Sequence, residues 1–150
     1  MPRVAGTPAL AELQALVAAE FELLGWDIHR DSFTASTPYG EKSFTNLIFT
    51  HDPSATRKLV LAAHLDSKFF PDDSPEFGFI GATDSAAPCA VLIDLAAGLT
   101  SWLDARKERV EREGGEGGEG VQGETLQIVL FDGEEAFKDW TPQDSIYGAK

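Results

Sequence analysis

The sequence predicts an α/β fold, layered as α/β/α around a mixed, mostly parallel central sheet. Two nearly continuous apolar runs, at 58–63 and 126–131, are typical of strands that are covered on both faces. A helical pattern at about 86–112 separates them, and such a strand–helix–strand unit pairs its strands in parallel through a right-handed crossover. The length of 150 residues is that of one domain, so we expect a single one over 1–150.

The first part of the chain predicts a helix followed by two strands. Apolar residues recur every three or four positions over 8–25, and Gly25 suits the end of a helix. Candidate strands follow at 26–34 and 43–51. The Pro and Gly of the segment 37–40 between them are typical of a turn, which predicts an antiparallel pair.

The long helix has its own start and stop signals. Pro88 fits the first turn, where its missing N–H costs nothing. Apolar residues continue at helical spacing as far as Trp102, which we therefore expect in the core. The Gly- and Glu-rich stretch that follows has little apolar surface to bury, so we expect a mobile loop at about 112–124, least ordered over 114–123.

Composition excludes several classes of function. The 25 acidic and 12 basic residues give a formal charge of −13, which repels phosphate backbones and makes nucleic acid a poor partner. No run approaches the roughly 18 apolar residues of a membrane-spanning helix, and the N-terminus lacks the apolar stretch of a signal peptide. The single cysteine, Cys89, excludes an internal disulfide, so zinc ligands would come from Asp, Glu and three histidines.

An acidic cluster, Asp132-Gly133-Glu134-Glu135, directly follows the second apolar run. A divalent cation would offset the repulsion between its carboxylates, with one as a ligand and another free to carry protons. The same residues also suit a solvated acidic turn at a helix start, where negative charge is favourable. From the cluster alone, both interpretations stay open.

Asp84 and His64 are further candidate site residues. Small neighbours on both sides of Asp84 would let a ligand approach closely, although Asp84 or Ser85 equally suits the N-cap of the long helix. His64 ends the first apolar run, and Asp66 lies two residues on, where alternation would give both the same face. His64 is either a metal ligand or a polar residue held by a carboxylate. His29 and His51 lie in polar stretches and are expected at the surface.

Trp140 follows the acidic cluster closely, between Lys138-Asp139 and Thr141-Pro142. This is a poor place for pure core packing. A role in lining a pocket and a structural role are both open.

Several segments together resemble the glutaminyl-peptide cyclotransferases, relatives of the zinc aminopeptidases. The matching segments are Pro38–Gly40, Ser43–Ile48, Leu59–Phe70, Gly81–Cys89 and Leu126–Gly148. The run Phe131-Asp132-Gly133-Glu134-Glu135-Ala136-Phe137, with Trp140 and Pro142–Ser145 behind it, is typical of the cyclotransferases rather than of the aminopeptidases. The similarity extends over most of residues 2–150, except the glycine-rich loop.

The resemblance implies a zinc-aminopeptidase-like catalytic domain and assigns roles to its residues. Asp84 and Glu135 would bind one Zn²⁺, Glu134 would be the general acid/base, and Trp140 would line the pocket for the substrate's first residue. His64 and Asp66 would be further metal ligands or would support the ligands. A cis peptide bond is expected between Asp84 and Ser85. The implied reaction converts the N-terminal glutamine of a peptide into pyroglutamate with release of ammonia.

The sequence also departs from the family pattern. The family's remaining zinc ligand, a histidine, lies far downstream of Lys150, so the chain resembles a truncated member that lacks the C-terminal part of the fold. Many animal members pair a cysteine at the place of Ala63 with that of Cys89, and Ala63 cannot form this bridge. Family members are typically secretory or Golgi proteins, whereas the compartment of this chain stays open. We expect a monomer that binds peptides with N-terminal glutamine. An aminopeptidase on the same fold and an inactive fragment are the alternatives.

Overall fold

The computed structural model describes residues 1–114 and 123–150. Six main elements follow one another along the chain: α1 (Pro8–Leu23), β1 (Asp27–Thr37), β2 (Gly40–Thr50), β3 (Arg57–His64), α2 (Ala87–Gly114) and β4 (Glu124–Phe131). Every helix and strand predicted from the sequence is present. The predicted mobile segment falls almost wholly on residues 115–122, which lie outside the described part of the chain.

The four strands form one mixed sheet in the order β1-β2-β4-β3. β3 and β4 run parallel, as the strand–helix–strand pattern predicts. The expectation of a mostly parallel sheet is wrong for the described strands, because β1–β2 and β2–β4 are both antiparallel. The reason lies in the hairpin: β2 returns from a tight turn and inserts between β1 and β4.

The hairpin is longer than its sequence suggests. Strand pairing extends from Asp27 opposite Thr50 to Thr37 opposite Gly40, which leaves only Pro38 and Tyr39 as the turn. Gly40 has a φ of 88°, a conformation that glycine adopts without steric cost. The Thr37 hydroxyl accepts from the Tyr39 N–H and donates to the Gly40 carbonyl. These local bonds close the turn.

Both helices lie on the same face of the sheet. The ring of Phe21 in α1 stacks on Phe49 of β2, with 3.7 Å between centroids. His51 continues the same side of the strand as Phe49, and its Nε2 lies 2.8 Å from the Asp104 carboxylate of α2. Trp26 joins the two helices, because it packs edge-on against Phe21 and donates to the Thr100 hydroxyl. The second helical layer of the predicted α/β/α arrangement is not among the described residues.

Three predictions about burial need correction. β4 is central, but β3 lies at one edge of the described sheet, and its Leu59 and Val60 are exposed instead of covered on both faces. Trp102 is 57% exposed, because Leu103 is the residue of this turn that faces the core, and the Trp102 ring lies instead beneath the Arg106 guanidinium. The His51 side chain is buried instead of at the surface: its ring packs edge-on against Trp26, and its Nε2 contacts Asp104.

The long helix can be compared with the prediction that no segment is apolar enough to span a membrane. By length and composition alone, the helical stretch Ala82–Arg112 is long and apolar enough to cross a membrane. One side of α2 packs against the sheet with Cys89, Ala96 and Leu103 buried, although only 17% of the most apolar window of this stretch is buried. Cys89 is a free thiol, in agreement with its solitary place in the sequence.

Candidate active site

The carboxyl ends of β3 and β4 meet, because His64 is paired with Phe131 at the last position of the parallel ladder. The Leu65 N–H donates to the Phe131 carbonyl and continues this contact beyond the strands. The polar residues that follow each strand are therefore brought to the same edge of the sheet. In open α/β sheets, this edge is where ligands bind.

His64 lies between two carboxylates. Its Nε2 is 2.8 Å from Asp84 Oδ1, and its Nδ1 is 3.2 Å from the Asp66 carbonyl oxygen and 3.4 Å from Asp66 Oδ1. Burial alone would lower the pKa of this imidazole, but hydrogen bonds to Asp66 and Asp84 raise the pKa to about 9. His64 is thus held by carboxylates, one of the two roles that the sequence left open.

Asp66 fixes the position of the acidic cluster. Its buried carboxylate accepts from two consecutive backbone N–H groups, Oδ1 from Glu134 at 3.1 Å and Oδ2 from Glu135 at 3.0 Å. Strand alternation does not explain the contact between Asp66 and His64, since β3 ends at His64 and Asp66 lies in the loop beyond. Because both oxygens already accept hydrogen bonds, Asp66 acts here as a support for the cluster.

A tight turn carries the backbone from β4 into the cluster. Gly133 has a φ of 70°, and any side chain at this position would collide with the ring of Phe44. Asp132, just before it, is buried, and its Oδ2 accepts from the Thr45 N–H and from the Gln14 amide. Burial raises the pKa of Asp132 to about 7. Asp132 therefore fastens the start of the turn to β2 and α1.

Glu134 and Glu135 are half-buried at this turn. Burial raises the pKa of both carboxyl groups above its ordinary value, and the negative charges of Asp66 and Asp84 raise it further. Two cations lower the pKa values: His64, whose Nε2 lies 3.8 Å from Glu134 Oε2, lowers the pKa of Glu134. Lys68, whose Nζ donates to the Ala136 carbonyl at 2.8 Å, lowers the pKa of both glutamates. An excess of negative charge remains, which a divalent cation would relieve.

Asp84 approaches the cluster from the other side. It lies in a short turn, Ala82–Ala86, that precedes α2 and whose backbone is non-helical at Asp84 and Ser85. The predicted cis peptide bond between Asp84 and Ser85 is present. The Asp84 side chain contacts His64 and is 69% exposed, so one face of the carboxylate remains open to a ligand. In the structure, the Asp84 carboxylate therefore contacts His64 and does not cap the helix.

Arg3 supports the segment that leads to Asp84, a role that the sequence did not reveal. Its buried guanidinium donates to three backbone carbonyls, those of Leu65, Ile80 and Gly81. Its own N–H donates to the Ser67 hydroxyl. Arg3 thereby joins the loop after β3 to the turn that holds Asp84. No sequence pattern marks it, because its partners are backbone atoms 62 and more residues away.

Trp140 is 60% exposed, on the loop that follows the acidic cluster. Asp144 fixes this loop: its carboxylate accepts from the N–H groups of Phe137, Lys138 and Asp139 and from the Tyr147 hydroxyl. Asp144 belongs to the Pro142–Ser145 segment of the family resemblance, but no role was predicted for it. The sequence signal for this role is an aspartate that lies several residues after a turn and can accept from the backbone N–H groups of that turn.

Five of the six predicted site residues thus lie at one edge of the sheet: His64, Asp66, Asp84, Glu134 and Glu135. Within residues 1–114 and 123–150, no group of three His, Cys, Asp or Glu side chains has the geometry to hold a metal ion. A metal shared by Asp84 and Glu135 therefore stays a prediction. Asp84 and Glu135 are chemically suitable ligands for zinc, because carboxylate oxygens are among its ordinary ligands.

Comparison with known proteins identifies relatives for most of the chain. The family model of "Peptidase family M28" matches residues 46–150. A "Glutaminyl-peptide cyclotransferase-like protein" of Bos taurus is 45% identical over 150 residues, which is 99% of this chain and 36% of that protein. A "Glutaminyl-peptide cyclotransferase" of Dictyostelium discoideum is 40% identical, again over 99% of this chain and over 41% of its own length. The chain thus spans well under half the length of these relatives.

Two solved structures share the fold of this chain. A glutaminyl cyclase from Macrostomum lignano superposes with a TM-score of 0.79 at 40% identity, over 99% of this chain and 39% of that one. A Zn-dependent exopeptidase from Parabacteroides distasonis gives a TM-score of 0.72 at 22% identity, over 98% of this chain and 48% of that one. The second likeness concerns the fold alone.

Proposed function

Since this chain belongs to peptidase family M28, we propose that it carries part of the active site of a zinc-dependent glutaminyl-peptide cyclotransferase. The reaction would cyclise the N-terminal glutamine of a peptide to pyroglutamate and release ammonia. The observation that carries the proposal is the bidentate support by Asp66, which presents Glu134 and Glu135 side by side at the sheet edge next to His64 and Asp84. The relatives at 40–45% identity carry the name of this activity.

In this proposal, Glu134 moves the proton. The substrate's α-amine nitrogen attacks the carbon of its own side-chain amide, so a C–N bond forms to the α-amine and the C–N bond to the amide nitrogen breaks. Glu134 accepts the proton that the α-amine loses and gives it to the leaving nitrogen, which departs as ammonia. The raised pKa of Glu134 suits this role, because a general acid/base works best when its pKa approaches the working pH.

Asp84 and Glu135 would hold the zinc ion, which supplies electrostatic stabilisation of the negative charge on the amide oxygen. The open face of Asp84 and the half-buried Glu135 offer carboxylate oxygens from two sides of the cluster. His64 orients Asp84 through its Nε2, and Asp66 orients Glu135 through its backbone N–H. Such supporting contacts commonly decide how well a ligand binds its metal.

Trp140 would line the pocket for the substrate's first residue. Its exposed indole lies on a loop whose backbone is fixed by Asp144. A flat aromatic side chain on a fixed loop is suited to pack against a small ligand.

The alternative is an aminopeptidase on the same scaffold, which the family model by itself would accommodate. That reaction would require two metal ions, with Asp84 bridging them and His64 as a ligand of the second. The count of bound zinc and an assay for cleavage of unblocked peptides distinguish the two. Two zinc ions with release of N-terminal residues would replace the cyclotransferase proposal. An inactive fragment remains the third interpretation.

The test compares Glu134→Gln and Glu135→Gln in a form of the protein that includes the downstream histidine implied by the family resemblance. Glu134→Gln should retain zinc but release ammonia from a glutamine-initiated peptide on the order of 10²-fold more slowly or worse, because the amide cannot accept the proton. Glu135→Gln should instead retain less zinc after dialysis, because an amide oxygen is a poorer ligand. Glu76→Gln, at an exposed loop, is the control. Unchanged turnover in Glu134→Gln would refute the assignment.

A further inference from the structure

An aromatic cavity of about 330 Å³ lies behind the acidic turn, outside the site described above. The N-terminal segment, the β1–β2 turn and the loop after β3 enclose it. Six aromatic side chains line it: Tyr39, Phe69, Phe70, Phe77, Phe79 and Phe137. Cavities of this size with mostly apolar walls are typical of small-molecule sites.

The aromatic side chains around the cavity pack against one another in pairs, but several of them remain exposed to solvent. Tyr39 packs edge-on against Phe69 with 5.0 Å between centroids, and Phe70 packs edge-on against Phe79 at 5.7 Å. Phe77 nevertheless remains 61% exposed, and Tyr39 and Phe79 are exposed as well. Exposed aromatic rings gathered around a cavity are a common feature of binding surfaces.

Two lysines give the cavity a charge opposite to that of the whole chain. Lys42 and Lys68 both line it, in a protein whose formal charge is −13. The stem of Lys42 packs over Gly6, and Nζ of Lys68 donates to the Ala136 carbonyl. Among the residues that the structure describes, neither ammonium has a carboxylate oxygen within 4.0 Å. The charge of Lys42 is thus free to meet a ligand, whereas the charge of Lys68 also acts on Glu134 and Glu135 of the acidic site.

We propose that this cavity binds a small amphipathic carboxylate, a ligand with an aromatic or aliphatic body and one carboxylate group. The body occupies the space between the aromatic rings, and the carboxylate pairs with the lysines that line the cavity, chiefly Lys42. Apolar burial would supply most of the affinity, and the lysines would select for the negative charge.

The cavity is distinct from the acidic site but adjoins it. A narrow crevice lined by Asp66, Phe69, Glu135 and Phe137 lies between them and has no room for a water molecule. A ligand in the cavity would therefore not reach the carboxylates directly. The proposal is independent of the proposed cyclotransferase activity, and binding alone tests it.

The experiment measures binding of 4-phenylbutyrate and of its uncharged analogue 4-phenyl-1-butanol to the 150-residue chain, by calorimetry in low-salt buffer at neutral pH. The acid should bind about fivefold more tightly than the alcohol, because the two share their apolar body and differ in charge. Lys42→Gln should abolish most of this preference while leaving the affinity for the alcohol. Phe77→Ala should weaken both probes, and its exposure makes the fold tolerant of the change.

Lys58→Gln is the matched control, since Lys58 is an exposed lysine that does not line this cavity. It should change neither affinity. The proposal is overturned if acid and alcohol bind equally well, if Lys58→Gln acts like Lys42→Gln, or if neither probe binds at millimolar concentration.

Discussion

Single residues with several hydrogen bonds decide the geometry of this site, and Asp66 is the strongest case. The sequence indicated that Asp66 belongs near the site, because it lies two residues after a strand-ending histidine. It could not indicate that the carboxylate would accept from the N–H groups of Glu134 and Glu135, 68 and 69 residues later in the chain. Contacts of this kind depend on which strands become neighbours.

Asp66→Asn should therefore damage the site more than its similar shape suggests. An amide offers one acceptor oxygen where two N–H groups need one each, and its own NH₂ would face a donor. We expect a loss of about 1–3 kcal/mol in unfolding free energy, and a loss of about 10–100-fold in zinc affinity. Chemical denaturation of the 150-residue chain measures the first effect, and zinc retention in the form that includes the downstream histidine measures the second. Asp94→Asn on the exposed side of α2 should leave both unchanged, and equal behaviour of the two variants would contradict the supporting role.

At the scale of elements, periodicity predicted most of the structure. The apolar spacing placed α1 and α2 within a few residues of their observed bounds, and the two apolar runs became the parallel pair β3–β4. Periodicity could not predict which strand lies at an edge of the sheet. Leu59 and Val60 have the composition of a buried strand, but a strand is buried only if neighbours cover it. Trp102 is exposed because its neighbour Leu103 faces the core instead, and periodicity alone did not separate the two.

The loop after the acidic turn depends on one carboxylate, and acid should loosen it. The hydrogen bonds from Tyr147 and from backbone N–H groups hold the pKa of Asp144 below its ordinary value, although burial opposes them. A lowered folded-state pKa means that Asp144 stabilises the fold fully above the pKa of about 4 in the unfolded chain. That contribution is lost as the pH falls through the lower folded-state pKa.

Asp144→Asn should accordingly lower the free energy of unfolding by about 1.5–3 kcal/mol at neutral pH, because hydrogen bonds to a charged group are lost. The difference from the unmodified chain should shrink as the pH falls below about 4. Denaturant titrations between neutral and acid pH measure it. Asp139→Asn, in the same loop, should show no such trend, and a pH-independent difference for Asp144→Asn would refute the explanation.

At the scale of the whole molecule, the described residues supply only part of what a catalytic zinc site requires. Such sites usually have three protein ligands, and the residues proposed here are two, Asp84 and Glu135. The 150-residue chain alone should therefore retain little zinc after dialysis and release little ammonia from a glutamine-initiated peptide. Turnover at an enzyme-like rate would contradict this expectation and make His64 the leading candidate for the third ligand.

The outer edge of β3 has a consequence for the behaviour of the chain in solution. Among the described residues, no strand pairs with β3 on the side opposite β4, and its Leu59 and Val60 are exposed. Another extended chain can therefore add a strand along this edge. We expect self-association that rises with protein concentration and ends in aggregation. Val60→Lys should suppress it, because a charge on an edge strand resists pairing, whereas Val91→Lys, at a similarly exposed valine on α2, should not. Light scattering over a concentration series would detect the difference, and equal effects of the two lysines would point to net charge instead of strand addition.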